Sequence, residues 1–232
     1  MKPCIIFDLD GTLLDSLQDL CNAVNHTLSQ FGYPQRTLDE VRSFVGTGAR
    51  NLIRFSLPEE SSEETVDEVL AAYQEYYAAH STDLTCPYAG ILDALAQLEK
   101  EFSVGVVSNK PDRAVKPLCK QFFGDIYALG ETAAIPRKPA PDMIHYAMAQ
   151  LGADRCVYVG DSEVDVLTAK NTGVPCLSVL WGFRDKACLE RAGAQHFLQH
   201  AFPASSNDKG DPLWQMSFTP YLAECATSPA GA

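Results

Sequence analysis

The chain has 232 residues, of which 46% are hydrophobic and 21% charged, and it carries a formal net charge of −12. These values are typical of one large globular domain or of one domain with an insertion. The negative charge argues against nucleic acid and anionic membranes as partners, because both are bound through basic surfaces. No stretch approaches the ~20 apolar residues that a membrane-spanning helix needs. The first predicted strand begins directly after residue 3, which leaves no room for a signal peptide.

Cysteine usage predicts the compartment. The eight cysteines are scattered without a C-x-x-C pair, and several lie in apolar runs, as buried free thiols do. We therefore expect a reducing, cytoplasmic location, with neither a disulfide framework nor a zinc site.

The first predicted element is a buried strand, Cys4-Ile5-Ile6, which runs into the sequence Phe7-Asp8-Leu9-Asp10-Gly11-Thr12. Helical periodicity follows in four segments, at about 17–28, 38–44, 49–57 and 59–77. From residue 86 the pattern changes to an alternation of strands and helices. The predicted strands there are 104–108, 156–160, 176–180 and a small edge strand at 196–198, and the predicted helices are 91–101, 112–123, 142–151, 163–172 and 186–192.

Apolar strands that alternate with helices predict the α/β class, with a parallel sheet covered on both faces. About 70 mostly helical residues separate the first strand from the others, which is too long for a simple crossover. We therefore predict a helical cap at 16–84, inserted into a core formed by 1–15 and 85–203. The polar, turn-rich stretch that follows is interpreted as a C-terminal extension, 204–232, to which the sequence assigns no role.

Polar and charged residues follow the predicted strands, at the point where each strand ends. Ligand sites of parallel α/β sheets lie at the carboxyl ends of the strands, so we expect these side chains to meet. Those at strand ends are Asp8, Asp10, Ser108, Asn109, Lys110, Asp161, Ser162 and, four residues after Asp161, Asp165, and the loop before the next helix adds Arg137 and Lys138.

These residue types suit phosphoryl transfer. One carboxylate can attack phosphorus and form an aspartyl-phosphate, while a second protonates the leaving alkoxide and then activates water. Asp8 and Asp10 are two residues apart, so they share one face of an extended chain, and their mutual repulsion calls for a cation. Mg²⁺ prefers such oxygen ligands, and Asp161 would complete its site. A hydroxyl, an amide and a lysine supply groups for the phosphoryl oxygens.

Each of these residues alone also has a purely structural interpretation. The D-x-D-G string is compatible with a surface turn, Ser108 with a strand-end turn and Lys138 with a solvated loop. Asp161 and Asp165 suit a helix N-terminus, where the helix dipole favours acids. The order of all the residues along successive strands favours the functional interpretation.

The four segments together resemble the motifs of the haloacid dehalogenase superfamily of phosphohydrolases. The run Asp8-Leu9-Asp10-Gly11-Thr12 is similar to the first motif, Ser108 to the second, Lys138 to the third, and Gly160-Asp161-Ser162-Glu163-Val164-Asp165 to the fourth. The match covers about residues 1–182. It implies a Rossmann-like core with a helical cap inserted just after the first motif.

The resemblance also implies roles for individual residues. Asp8 would be the nucleophile and Asp10 the general acid and base. Mg²⁺ would be held by Asp8, the backbone carbonyl of Asp10 and Asp161, and Asp165 would support the metal shell. The phosphoryl group would be bound by Thr12, Ser108, Asn109 and Lys138.

Two details are similar to the phosphoglycolate phosphatase branch of the superfamily. One is the run Val107-Ser108-Asn109-Lys110-Pro111, and the other is a cap loop formed by Gly46, Thr47 and Gly48. In that branch the loop faces the active site and reads the substrate, although a simple interhelical turn explains its glycines equally well. Asp10 further argues for ester cleavage, because dehalogenases lack this carboxylate.

The sequence thus leads to the hypothesis of an Mg²⁺-dependent, phosphoglycolate phosphatase-like enzyme. It would hydrolyse a small phosphorylated metabolite through an aspartyl-phosphate, as a monomer or a homodimer. Other readings share the core and differ in the cap. They are a β-phosphoglucomutase-like phosphosugar mutase, a nucleotidase, a pyrophosphatase, and a non-catalytic binding protein on the same fold.

Overall fold

A parallel sheet forms the centre of the molecule, in a computed structural model that describes residues 2–201. The predicted extension at 204–232 lies outside the described residues. The strands are β1 Cys4–Phe7, β2 Leu14–Asp15, β3 Cys86–Pro87, β4 Ser103–Pro111, β5 Tyr127–Glu131, β6 Cys156–Gly160, β7 Cys176–Val179 and β8 Phe197–Leu198. Six of them form the sheet in the order β5-β4-β1-β6-β7-β8, and every neighbouring pair is parallel. The predicted α/β class is confirmed.

Helices cover the sheet and form the inserted segment. Within residues 2–201 they are α1 Leu17–Gln30, α2 Leu38–Phe44, α3 Ala49–Ser56, α4 Glu63–His80, α5 Ile91–Leu98, α6 Asp112–Phe123, α7 Asp142–Gln150, α8 Glu163–Thr172 and α9 Lys186–Ala192. No helix in this range is both long and apolar enough to cross a membrane. The seven cysteines in this range are free thiols.

Strand β1 lies in the middle of the sheet, and all four of its residues are buried. Because successive side chains of a strand point to opposite faces, Ile5 and Phe7 pack into one apolar cluster and Ile6 into another. Both faces of the sheet are therefore hydrophobic, which is why the central strands read as continuous apolar runs.

Helices α1 to α4 share a hydrophobic cluster of their own, which includes Leu28, Val41, Ile53 and Val69. The core contributes Phe183, from the loop after β7, to this cluster. Strands β2 and β3 pair antiparallel at the two points where the chain passes between the helical segment and the sheet. They lie just outside the predicted cap at 16–84, and those boundaries remain a prediction.

Strand β5, Tyr127–Glu131, was missed by the sequence analysis. Its sequence, Tyr-Ala-Leu-Gly-Glu, carries no β-branched residue, so local propensity does not favour a strand. Pairing with β4 determines its conformation instead. Gly130 is required there, because a Cβ atom at this position would lie 2.4 Å from the Cα atom of Asp112.

Candidate active site

Three neighbouring strands, β4, β1 and β6, bring the predicted residues to one edge of the sheet. Asp8 and Asp10 follow β1, Ser108 lies within β4, and Asp161 follows β6. All four residues are buried. The convergence that the strand ends predict is therefore present in the fold.

Lys138 links two of the predicted carboxylates. Its Nζ atom lies 2.8 Å from Oδ1 of Asp8 and 2.8 Å from Oδ1 of Asp165. The Tyr158 hydroxyl, 2.8 Å from the same Nζ atom, donates to Asp165. The N–H and hydroxyl groups of Ser162 donate to the other oxygen of Asp165. Asp165 therefore both stabilises the start of α8 and holds Lys138 against Asp8.

Asp10 faces a different set of partners. Lys110 Nζ lies 2.9 Å from each of its carboxylate oxygens, and the Ser16 hydroxyl donates to Oδ1 at 2.5 Å. Lys110 also lies over the ring of Tyr77 in α4, 4.6 Å from the ring centroid. The side chain predicted as the general acid is thus tied to the helical segment through Lys110.

Asp161 lies in a tight backbone pocket. It accepts hydrogen bonds from the Thr12 hydroxyl at 3.2 Å and from the Phe183 N–H at 2.7 Å. A Cβ atom at Gly11 or at Gly182 would lie 2.3 Å from an atom of the Asp161 side chain, and Gly11 has φ +85°. Both glycines are therefore needed for the close approach of the backbone to this carboxylate.

The carboxylates fit a divalent cation. Asp8, Asp161 and Asp165 each offer an oxygen atom within 4.8 Å of the others. Lys138 is the cation that contacts two of them, so this buried group retains two uncompensated negative charges when all three are ionised. Carboxylate oxygens with two net negative charges suit a hard divalent cation such as Mg²⁺. Asp165 receives four hydrogen bonds and does not line the cavity above this edge of the sheet, whereas Asp8 and Asp161 line it and are therefore the candidate ligands.

The pKa values of these groups reflect burial opposed by charge. Burial raises the pKa of Asp8 to about 7, against the lowering effect of Lys138. Burial and the charge of Asp165 raise the pKa of Asp161 well above its usual range. Asp165 is buried too, but Lys138 and its hydrogen bonds lower its pKa. Burial disfavours the charge of Lys138, but Asp165 and Asp8 raise its pKa above the usual value.

Among the remaining predicted residues, Asn109 joins the helical segment to the core. The Asn109 amide donates to the backbone carbonyls of Gly46, at 3.1 Å, and of Lys138, at 2.9 Å. Gly46 and Gly48 line the cavity above the carboxylates, and the Thr47 hydroxyl is buried without a hydrogen-bond partner. Ser108 accepts from the Lys110 N–H at 3.2 Å.

Arg184 also joins the two parts and was missed by the sequence analysis. Its guanidinium bonds Glu163 at 2.9 Å and the backbone carbonyls of Arg42 and Val45 at 2.7 and 2.8 Å. Sequence spacing gave no sign of this contact, because Arg184 lies in a loop with no motif. Tyr158 was missed for a similar reason, since it occupies an ordinary apolar strand.

A cavity of about 470 Å³ opens above this edge of the sheet. Its floor includes Asp8, Asp10 and Asp161, and its walls come from α1, α3, α4, α6 and the loops at Gly46 and Phe183. Polar groups converge at the floor, as expected of a ligand site at the carboxyl ends of parallel strands. Fold and site together define a capped α/β protein with a carboxylate–lysine centre suited to phosphoryl transfer.

The chain belongs to the haloacid dehalogenase-like hydrolase family, whose model matches residues 5–179. It is 36% identical over 190 residues to a phosphoglycolate phosphatase of Pseudomonas fluorescens. The aligned region covers 77% of this chain and 70% of that protein. It is 34% identical over 190 residues to a phosphoglycolate phosphatase of Rhodobacter capsulatus, covering 79% of this chain and 87% of that protein. The chain is accordingly an enzyme of the phosphoric monoester hydrolase class.

Solved structures agree with the fold. A protein from Lactobacillus delbrueckii subsp. bulgaricus superposes with a TM-score of 0.80 at 37% identity, covering 87% of this chain and 96% of that one. CbbY from Rhodobacter sphaeroides, solved in complex with phosphate, superposes with a TM-score of 0.70 at 24% identity, covering 85% and 94%. At that identity the second comparison supports the fold alone.

Proposed function

We propose that this phosphatase hydrolyses a small phosphate monoester through an aspartyl-phosphate on Asp8, with Mg²⁺ as its cofactor. The observation that carries the proposal is the contact of Asp8 with Lys138 on the floor of the cavity, with Asp161 alongside. A carboxylate buried beside an ammonium group and a second carboxylate suits attack on a phosphoryl group.

In the first step an oxygen of Asp8 attacks phosphorus, and the bond between phosphorus and the ester oxygen breaks. Asp10 gives its proton to the departing alkoxide, so that an alcohol leaves. In the second step Asp10 takes a proton from water, whose oxygen attacks the aspartyl-phosphate and releases inorganic phosphate and the Asp8 carboxylate. Lys138, with Ser108, Asn109 and Thr12, is proposed to hold the phosphoryl oxygens.

Asp8, the backbone carbonyl of Asp10 and Asp161 are proposed to hold the metal ion. When bound, Mg²⁺ neutralises charge on the phosphoryl group and on the attacking carboxylate. Asp165 keeps Lys138 in position, and the carboxylates of Asp8 and Asp161 are then the two that bind Mg²⁺. The relatives named phosphoglycolate phosphatase make 2-phosphoglycolate the reference ester for this chain.

Replacement of the nucleophile tests the proposal. Asp8→Asn should lower phosphate release by about 1,000-fold or more, because the amide cannot form the covalent intermediate. The measurement is phosphate release from a panel of esters and pyrophosphate in Mg²⁺ and in EDTA, with circular dichroism as the control for folding. Exposed Asp93→Asn is the matched control and should retain activity.

Retained activity in Asp8→Asn would contradict the assignment of the nucleophile. Turnover of the wild-type protein in EDTA would contradict the dependence on a metal. Interconversion of a phosphosugar with little release of phosphate would favour a mutase instead.

A further inference from the structure

The cavity above the catalytic carboxylates is large relative to the alcohol part of 2-phosphoglycolate. Its volume of about 470 Å³ falls within the roughly 300–1,000 Å³ typical of pockets for drug-sized ligands. Glycolate is a two-carbon acid, so it would leave most of this space to water.

The walls away from the floor are mainly apolar and aromatic. Leu52 of α3, Tyr73 and Tyr77 of α4, and Ala114 and Pro117 of α6 line this part. The rings of Tyr73 and Tyr77 are stacked, with centroids 5.6 Å apart. Such walls stabilise a ligand by burying its apolar surface, which in glycolate is limited to one methylene group.

The cations that line the cavity interior are already paired with carboxylates. Lys110 is bound to Asp10, and Arg184 is bound to Glu163. Arg113 lies at the exposed rim, where it contacts Gln74. The substrate carboxylate of 2-phosphoglycolate would therefore enter an interior whose ammonium and guanidinium groups are neutralised by acids.

Two arginines of the helical segment are also paired with acids. Arg50 contacts Glu63 and Asp67, and Arg54 contacts Glu63. Neither lines the cavity. Arg50 and Arg54 therefore form ion pairs within the helical segment and do not face a substrate in the cavity.

One polar group inside the apolar wall has no partner in the protein. The Tyr77 hydroxyl is buried and makes no hydrogen bond, although its residue lines the cavity and is only 4% exposed. Burial and the charges of Asp10 and Asp19 raise the pKa of Tyr77 well above its usual value, so the hydroxyl keeps its proton. An unpaired buried hydroxyl is costly, and a ligand group that bonds to it removes that cost.

We propose that this cavity binds the alcohol part of a phosphate ester of a neutral, ring-bearing alcohol, and that the Tyr77 hydroxyl bonds a hydroxyl group on that ring. The proposal rests on the proposed function, because the phosphoryl end of the ester is assigned to Asp8. It makes Tyr77 a specificity-determining residue and makes 2-phosphoglycolate a poor substrate.

Two matched pairs of probes test the proposal on the full chain in Mg²⁺. The first pair consists of two phosphonates, 2-phenylethylphosphonate and 3-phosphonopropionate, whose Kd values are measured by calorimetry. The second pair consists of two esters of primary alcohols, benzyl phosphate and 2-phosphoglycolate, whose kcat/KM values are measured by phosphate release. We expect the ring-bearing member to bind about tenfold more tightly and to turn over about tenfold more efficiently.

The ring hydroxyl is tested with the three isomers of (hydroxyphenyl)ethylphosphonate. At least one isomer should bind the wild-type protein more tightly than the parent phosphonate, and Tyr77→Phe should abolish this gain while leaving the parent's Kd unchanged. Tyr33→Phe, in the helical segment but away from the cavity lining, should retain the gain.

Tighter binding of 3-phosphonopropionate, equal binding of the two phosphonates, or binding of neither would overturn the assignment of the cavity. A gain that persists in Tyr77→Phe, or no gain from any isomer, would overturn the role of Tyr77. Binding of the ring-bearing phosphonate with no phosphate release from either ester would instead contradict the proposed function and leave the cavity assignment standing.

Discussion

Lys110 is a buried lysine that forms an ion pair with the Asp10 carboxylate. It bonds both oxygens of Asp10 at 2.9 Å and lies over the ring of Tyr77. Among residues 2–201, the other hydrogen bond to this carboxylate comes from the Ser16 hydroxyl. Lys110 therefore fixes the orientation of the group proposed to protonate the leaving alkoxide.

Lys110→Met should lower kcat about 10- to 100-fold for esters of poor leaving groups, because a displaced general acid protonates the alkoxide less effectively. The loss should be smaller for 4-nitrophenyl phosphate, whose leaving group needs no proton. Steady-state rates with both esters measure the difference. Lys116→Met is the control, since that exposed lysine pairs with Asp112 on α6 and does not line the cavity. An equal loss for both esters would count against action through Asp10.

Residue types at strand ends predicted that the carboxylates proposed to be catalytic lie near Ser108, because the ends of parallel strands meet, and the loop before α7 added Lys138. Lys110 follows the predicted strand 104–108, but its partner depends on the direction of its side chain, which residue spacing does not predict. Tyr158 and Arg184 act across distances in sequence that no local pattern encodes, 20 residues to Lys138 and 139 residues to Val45. Contacts of this kind emerge only from the packed fold.

At the scale of elements, Asp19 connects α1 to the returning chain. Its carboxylate accepts hydrogen bonds from the Leu84 N–H and from both the N–H and the hydroxyl of Thr85, at 2.8 to 3.1 Å. Asp19 is only 2% exposed, so these bonds are shielded from water. One side chain thus fixes the chain where it passes from the helical segment back to the core.

Asp19→Asn should lower the free energy of unfolding by about 2–3 kcal/mol, because charge-assisted bonds to buried N–H groups are lost. The amide exchange of Leu84 and Thr85 should accelerate as well. Urea denaturation and hydrogen exchange measure the two effects. Asp15→Asn, at an exposed position of the neighbouring strand, is the control, and a similar loss in that variant would contradict the specific role of Asp19.

The helices and the central strands were predicted well because their apolar patterns are strong and their caps are local. Strand β5 was not predicted, because its own residues do not favour an extended chain. Its conformation is set by pairing with the neighbouring strand β4. Strands β2 and β3 have two residues each, which is too short for a periodic signal. The strands that were not predicted are thus those whose conformation depends on pairing with another strand.

At the scale of the whole molecule, buried carboxyl groups are concentrated where a divalent cation is proposed to bind. The buried carboxylates of Asp8 and Asp161 both have raised pKa values, with burial as the largest cause. A carboxyl whose pKa is raised in the folded state holds its proton there, whereas the unfolded chain releases it above about pH 4. The folded state therefore loses stability as pH rises towards 7 in the absence of a divalent cation.

In EDTA, the wild-type protein should lose more unfolding free energy than Asp8→Asn between pH 5 and about pH 7.5. The upper limit follows from the pKa of Asp8, about 7. Mg²⁺ should reverse the loss at the higher pH, because it binds the ionised carboxylates of the folded state. Urea denaturation at both pH values, with and without Mg²⁺, measures this. The same pH dependence in both proteins would contradict the assignment to Asp8.

The two-stranded pairing of β2 with β3 has a consequence for how the protein accepts change. Leu14 lies opposite Pro87 and Asp15 opposite Cys86, so the chain leaves the sheet and returns to it at one place. The intervening helices are, in topological terms, the loop of a hairpin, and closing a longer or shorter loop alters the free energy only slowly with length. Exchange of this whole segment at the hairpin would leave the ladder of the parallel sheet intact. New substrate preferences can therefore be grafted onto the same sheet, provided that the incoming segment restores the contacts of Ser16 and Tyr77 with Asp10 and Lys110.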